Sequence, residues 1–107
     1  MIAVIFEAIP IPVQKERYFE LAAKLKSELM HIDGFIAVER FQSITIEGKI
    51  LSLSWWETEE AVKQWKNHFM HIDAQVEGQQ TIFSHYRIRV AHTLKDYSFN
   101  NEDSFDV

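Results

Sequence analysis

Three tryptophans and two histidines fall within the 25 residues from Leu51 to Gln75. Trp65 sits at the centre of an apolar stripe at helical spacing, with Val62, Phe69, Ile72 and Val76. An indole there either fills a core or walls a pocket. On a helical wheel His68 and Gln75 border the stripe while Asn67 and His71 lie further round, so the four can form a polar rim beside an aromatic wall. An imidazole with its ordinary pKa of about 6.5 can take a proton from a bound acidic group. A solvated helix edge accounts for the same residues equally simply. His68-x-x-His71 has only Gln75 near it as a third donor, too few for a metal site. Further along, Arg87 and Arg89 put two charges on one face of an extended stretch, with Tyr86, Ile88, Val90 and His92 on the other. The arginines read as an anion clamp or as partners of the carboxylates Glu7 and Glu39, which interrupt other apolar strands.

These residues need a scaffold, and the patterning supplies one. Residues 2–9 are β-branched and aromatic with both alternating sets mainly apolar, which predicts a strand covered on both faces. Pro10 and Pro12 end it. A helix follows, with Tyr18, Leu21, Ala22, Leu25 and Leu29 as its apolar stripe and Gly34 as its left-handed stop. Strands are expected at residues 35–42 and 50–56, joined through Glu47-Gly48, and Thr58 is placed to cap a second helix whose first turn carries Glu59 and Glu60. A long last strand runs from about Ile82 to Leu94. The domain is expected to span residues 1–97, with 98–107 an acidic tail.

The order βαββαβ predicts an α+β, ferredoxin-like antiparallel sheet with both helices on one face. Two helices cover one face only, yet the first strand is apolar on both and Trp55 and Trp56 point opposite ways. The uncovered face therefore predicts a homodimer formed through the sheet.

Composition narrows the function classes. Eleven basic against 16 acidic residues leave a net charge of −5 with no basic stripe, which argues against a nucleic-acid partner. The absence of cysteine removes disulfides and thiolate chemistry. The apolar opening has no basic start, carries Glu7 and lacks a cleavage site, so it reads as a strand, and the expected location is the cytoplasm. No segment approaches the roughly 20 apolar residues of a membrane span.

The segment Glu39-Arg40-Phe41-Gln42-Ser43, the run from Leu51 to Trp56, Trp65, the combination His71, Ala74-Gln75 and Gly78, and the strand Tyr86-Arg87-Ile88-Arg89-Val90 together resemble the antibiotic biosynthesis monooxygenase family. The resemblance implies a dimeric α+β barrel with a pocket between sheet and helices in each subunit. It also implies oxidation of phenols, quinols or polycyclic aromatics by O₂ without metal or flavin, the deprotonated substrate itself reducing oxygen. On that basis Trp65, Phe69, Asn67, Gln75 and Tyr86 are candidate substrate contacts. His71 or His68 is the candidate base, and Arg87 or Arg89 the anion-holding group. Related members bind and degrade haem through a first-strand asparagine, a tryptophan and a histidine. Trp65 matches the tryptophan, but the first strand has Phe6 and Glu7 instead of asparagine. Haem is therefore the alternative cofactor, and a non-catalytic barrel binding a small apolar ligand is a further alternative.

Overall fold

The computed structural model describes residues 1–70 and 82–101. Strand β1 (Ile2–Pro10) leads through a 3₁₀ turn (Pro12–Gln14) into helix α1 (Lys15–Leu29). Strands β2 (Phe35–Gln42) and β3 (Ile50–Trp56), helix α2 (Glu59–Met70) and strand β4 (Phe83–His92) follow. The strands form one antiparallel sheet in the order β2-β3-β1-β4, the expected ferredoxin-like topology. Among the described residues, no helix is long and apolar enough to cross a membrane.

Local chemistry sets the element boundaries. The fixed φ of Pro12 starts a tight 3₁₀ turn and not the α-helix itself, which begins three residues later. Thr58 caps α2 as its residue type suggests, its Oγ1 accepting from the Ala61 N–H at 3.1 Å. Gly34 does adopt a left-handed conformation, with φ +90°. It lies beyond the last helical turn, however, because α1 already ends at Leu29. Its role is to turn the chain into β2: its carbonyl accepts from the Glu57 N–H at 2.8 Å, and a Cβ there would stand 2.7 Å from that of Ala61. The absence of a side chain thus lets the start of β2 close against α2.

Register assigns the two faces of the sheet. Phe6 stands opposite both Ser52 and Ile88, and Val38 and Arg40 stand opposite Ser54 and Ser52, so these residues share one face. Both helices pack on that side. Tyr18, Leu21, Ile50 and Ile82 form one buried cluster, joined by Phe6, Leu25 and Phe83. Ile2, Leu29, Trp56 and Ala61 form a second, joined by Val38, Val62 and Trp65 among others. Trp56 is completely buried, donating from Nε1 to Ser54 Oγ at 2.9 Å. The other face carries Ile5, Leu51, Leu53 and Trp55, with Phe41 at 41% exposure, and among the described residues no helix covers it.

Candidate active site

Between the two buried clusters, under the helices, lies a cavity of about 160 Å³. Its α1 wall is Tyr18, Leu21, Ala22, Leu25 and Leu29, and its floor is Phe6, Val38, Arg40, Ser52, Ser54 and Ile88. Trp65 closes the α2 side, with Ile82 and Phe83 at the end. Edge-on aromatic contacts pack that end: Phe83 lies 5.6 Å from both Phe6 and Tyr18. An apolar cavity of about 150 Å³ takes a benzene ring, so this chamber suits one small ring better than a fused polycycle.

Arg40 is the charge among these walls. One terminal nitrogen, Nη2, donates to the Ala22 carbonyl at 3.4 Å, a long bond, and the Nε–H is buried with no partner. No carboxylate lines the cavity among the described residues. A buried donor left unpaired costs about 1–3 kcal/mol, more when charged, and such a group in a folded protein calls for an explanation. A bound anionic oxygen can meet the guanidinium where Arg40 lines the cavity. Ser54 helps polarise the same floor: its Oγ already accepts from Trp56, which leaves the hydroxyl hydrogen to donate.

Trp65 is a cavity wall, and Tyr86 stands one ring behind, 5.8 Å from both Phe6 and Phe83. His68 lies outside the cavity, its ring 5.7 Å from that of Trp65 and its Nε2 3.3 Å from Glu28 Oε2 on α1. Asn67 is exposed on α2. His71 and Gln75 lie outside the described residues, as does the side chain of Phe69.

Arg87 and Arg89 occupy the opposite face of the sheet. Arg87 stands opposite Glu7 in the β1–β4 register, and Arg89 Nη1 lies 3.5 Å from Glu7 Oε2, which Lys49 Nζ approaches at 3.4 Å. The sheet thus separates both arginines from the cavity. Sequence alone missed Arg40 as a site residue. Its signal was a single charge alternating with Val38, readable only once the helix-covered face is known.

The comparisons with known proteins fit this geometry. Residues 1–77 match the family model described as antibiotic biosynthesis monooxygenase. The chain belongs to the antibiotic biosynthesis monooxygenase family. It is 41% identical over 100 residues to the protein named jasmonate monooxygenase ABM of Pyricularia oryzae, covering 94% of this chain and 46% of that one. It is 28% identical over 74 residues to the uncharacterized protein YqjZ of Bacillus subtilis, covering 69% of this chain and 63% of the other. The chain therefore spans about half of the first relative and less than two thirds of the second. Solved structures share the fold. Rv0793 of Mycobacterium tuberculosis superposes with a TM-score of 0.78 at 14% identity, covering 91% of this chain and 98% of that one. SnoaB of Streptomyces nogalater, a cofactor-independent oxygenase, gives 0.71 at 8% identity, covering 89% and 94%.

The ion cluster on the far face makes a pH-dependent prediction. Partial burial raises the Glu7 carboxyl, but the Lys49 hydrogen bond and the charges of Lys49, Arg89 and Arg87 outweigh it and hold the pKa below the ordinary glutamate value. A lowered carboxyl pKa contributes stability that is present above the unfolded-state value and lost as pH falls through the folded one. Carboxyl NMR titration is expected to find Glu7 ionising below an unpaired glutamate, and E7Q should flatten stability against pH in that acid range.

Proposed function

We propose that this family member is a cofactor-independent monooxygenase acting on a small phenol or hydroquinone. The observation that carries the reading is Arg40: a permanent cation with no carboxylate partner among the described residues, in the wall of an apolar, ring-sized cavity. Two similar proteins, the cofactor-independent oxygenase SnoaB and the jasmonate monooxygenase of Pyricularia oryzae, support the reaction class.

Arg40 favours the ionised form of a bound phenol, which raises the electron density of the ring. The electron-rich ring then reduces O₂ by one electron, the radicals join at a ring carbon, and loss of the ring C–H proton with O–O cleavage releases water. For a hydroquinone the balance is hydroquinone plus O₂ giving hydroxyquinone plus water, with no outside reductant. Trp65 and Phe6 hold the ring. The proton passes to His68 on α2, next to Trp65 with Glu28 placed to stabilise its imidazolium; His71, outside the described residues, is the other candidate base. The anion-holding role belongs to Arg40 in this proposal, since Arg87 and Arg89 lie across the sheet. Haem has less support, because no described histidine lines the cavity. Jasmonate, the compound in the relative's name, is the second substrate candidate, favoured by the same cation.

An oxygen electrode provides the test. A panel of monocyclic hydroquinones should show O₂ uptake unaffected by chelator, with R40Q lowering kcat/KM on the order of 10²-fold and R40K retaining part of it. Binding without uptake across the panel would leave a non-catalytic ligand-binding barrel.

We also propose that a second copy covers the apolar sheet face. Light scattering at micromolar concentration should give twice the chain mass, and L53K should halve it. A wild-type mass of one chain would contradict the dimer.

A further inference from the structure

Arg40 borders two hollows. On the side away from Trp65 lies a second depression of about 220 Å³, lined by Lys15, Phe19, Arg40, Phe41, Gln42 and Ile50. Arg40 is the one side chain, among the described residues, that lines both. The inner chamber is ring-sized and the outer one carries a second cation, Lys15, the half-exposed ring of Phe19 and an amide. No carboxylate lines either hollow among the described residues. Elsewhere in the chain the cations Arg17, Lys49 and Arg89 lie beside glutamates. Lys15 has no ion pair among the described residues. It is also the first residue of α1, where the helix dipole disfavours a positive charge, so its place is not explained by helix stability.

We infer that the outer depression is an anion subsite of the same binding site, and that the ligand is a phenol or hydroquinone carrying a short arm that ends in a carboxylate. The ring occupies the inner chamber and the carboxylate lies between Arg40 and Lys15. A guanidinium has five N–H donors in a planar fork, and Arg40 uses one of them in a single long bond. It can therefore serve an anionic oxygen on each side. Phe19 gives the arm an apolar wall, and Gln42 adds a hydrogen-bonding group beside the carboxylate. Arg40 acts as the partition that sets which end of the ligand goes where. The inference rests on the ring-binding role of the inner chamber proposed above, and it adds the requirement for a charged second end.

The test is equilibrium binding, read by calorimetry under anaerobic conditions so that no turnover occurs. The probes are 3-(4-hydroxyphenyl)propionate, its neutral amide, and 4-ethylphenol, which share one ring. The acid should bind at least about tenfold more tightly than the amide, the effect expected of a charge-assisted contact, and the preference should shrink as salt is added. K15Q, an exposed substitution at a helix start, should remove most of that preference while leaving the affinity for 4-ethylphenol unchanged. R40Q should weaken all three. Equal binding of acid and amide would overturn the inference, as would a preference that survives K15Q intact. Acid preference without O₂ uptake on any phenol would fail the monooxygenase reading alone. O₂ uptake with no acid preference would fail the anion subsite alone.

Discussion

A guanidinium that cannot lose its charge, set into an apolar wall with no carboxylate beside it among the described residues, is the constraint on which the site depends. Arg40 reaches this position because β2 pairs with β3 in a register that puts it opposite Ser52, on the face covered by α1 and α2. One residue of slip would send it to the far face among Leu51, Leu53 and Trp55 and bring Glu39 or Phe41 inside. The register is held by the hairpin between residues 43 and 49, where Ser43 N–H donates to the Lys49 carbonyl at 3.0 Å and Gly48 takes a positive φ. It is held as well by Trp56, whose burial fixes the other end of β3. The cavity's chemistry is thus a consequence of sheet register before it is one of any helix.

The two faces of the sheet handle charge in opposite ways. On the far face Glu7 sits between Lys49 and Arg89, so a carboxylate of the chain stands beside both of these cations. On the helix face the positive charge of Arg40 has, among the described residues, only a long bond to the Ala22 carbonyl. Structural ion pairs account for the first arrangement, and their desolvation leaves little net stability to be gained. The second arrangement makes sense when an anionic ligand completes it. This asymmetry favours Arg40 over the β4 arginines as the group that meets substrate.

Much of this was legible in the sequence, and the exceptions have a common cause. Alternation along the strands gave the antiparallel sheet, the opposite orientations of Trp55 and Trp56, and the shared face of Arg87 and Arg89, because strand parity is local. Thr58 and the acidic first turn marked the start of α2 for the same reason. Which parity class faces the helices is not local: it depends on how the strands pair, so the sequence pointed to Arg87 and Arg89 and passed over Arg40. Gly34 was recognisable as a left-handed residue, but whether it stops a helix or admits a neighbour depends on Ala61, which is 27 positions along the chain. Trp65 was identifiable as the centre of an apolar stripe, while its position as a cavity wall required the packing of Leu25 and Leu29 around it.

The central claim is that Arg40 stabilises a bound anionic oxygen, and the most direct measurement is the ionisation of a bound phenol. Ultraviolet absorbance distinguishes phenol from phenolate, so a hydroquinone or nitrophenol titrated in the presence of excess protein without O₂ reports the pKa of the bound form. The account predicts that the bound phenol ionises at lower pH than the free one, and that R40Q abolishes the shift. A bound phenol that ionises at the same or higher pH than in water would contradict it, because an apolar cavity without an effective cation favours the neutral form.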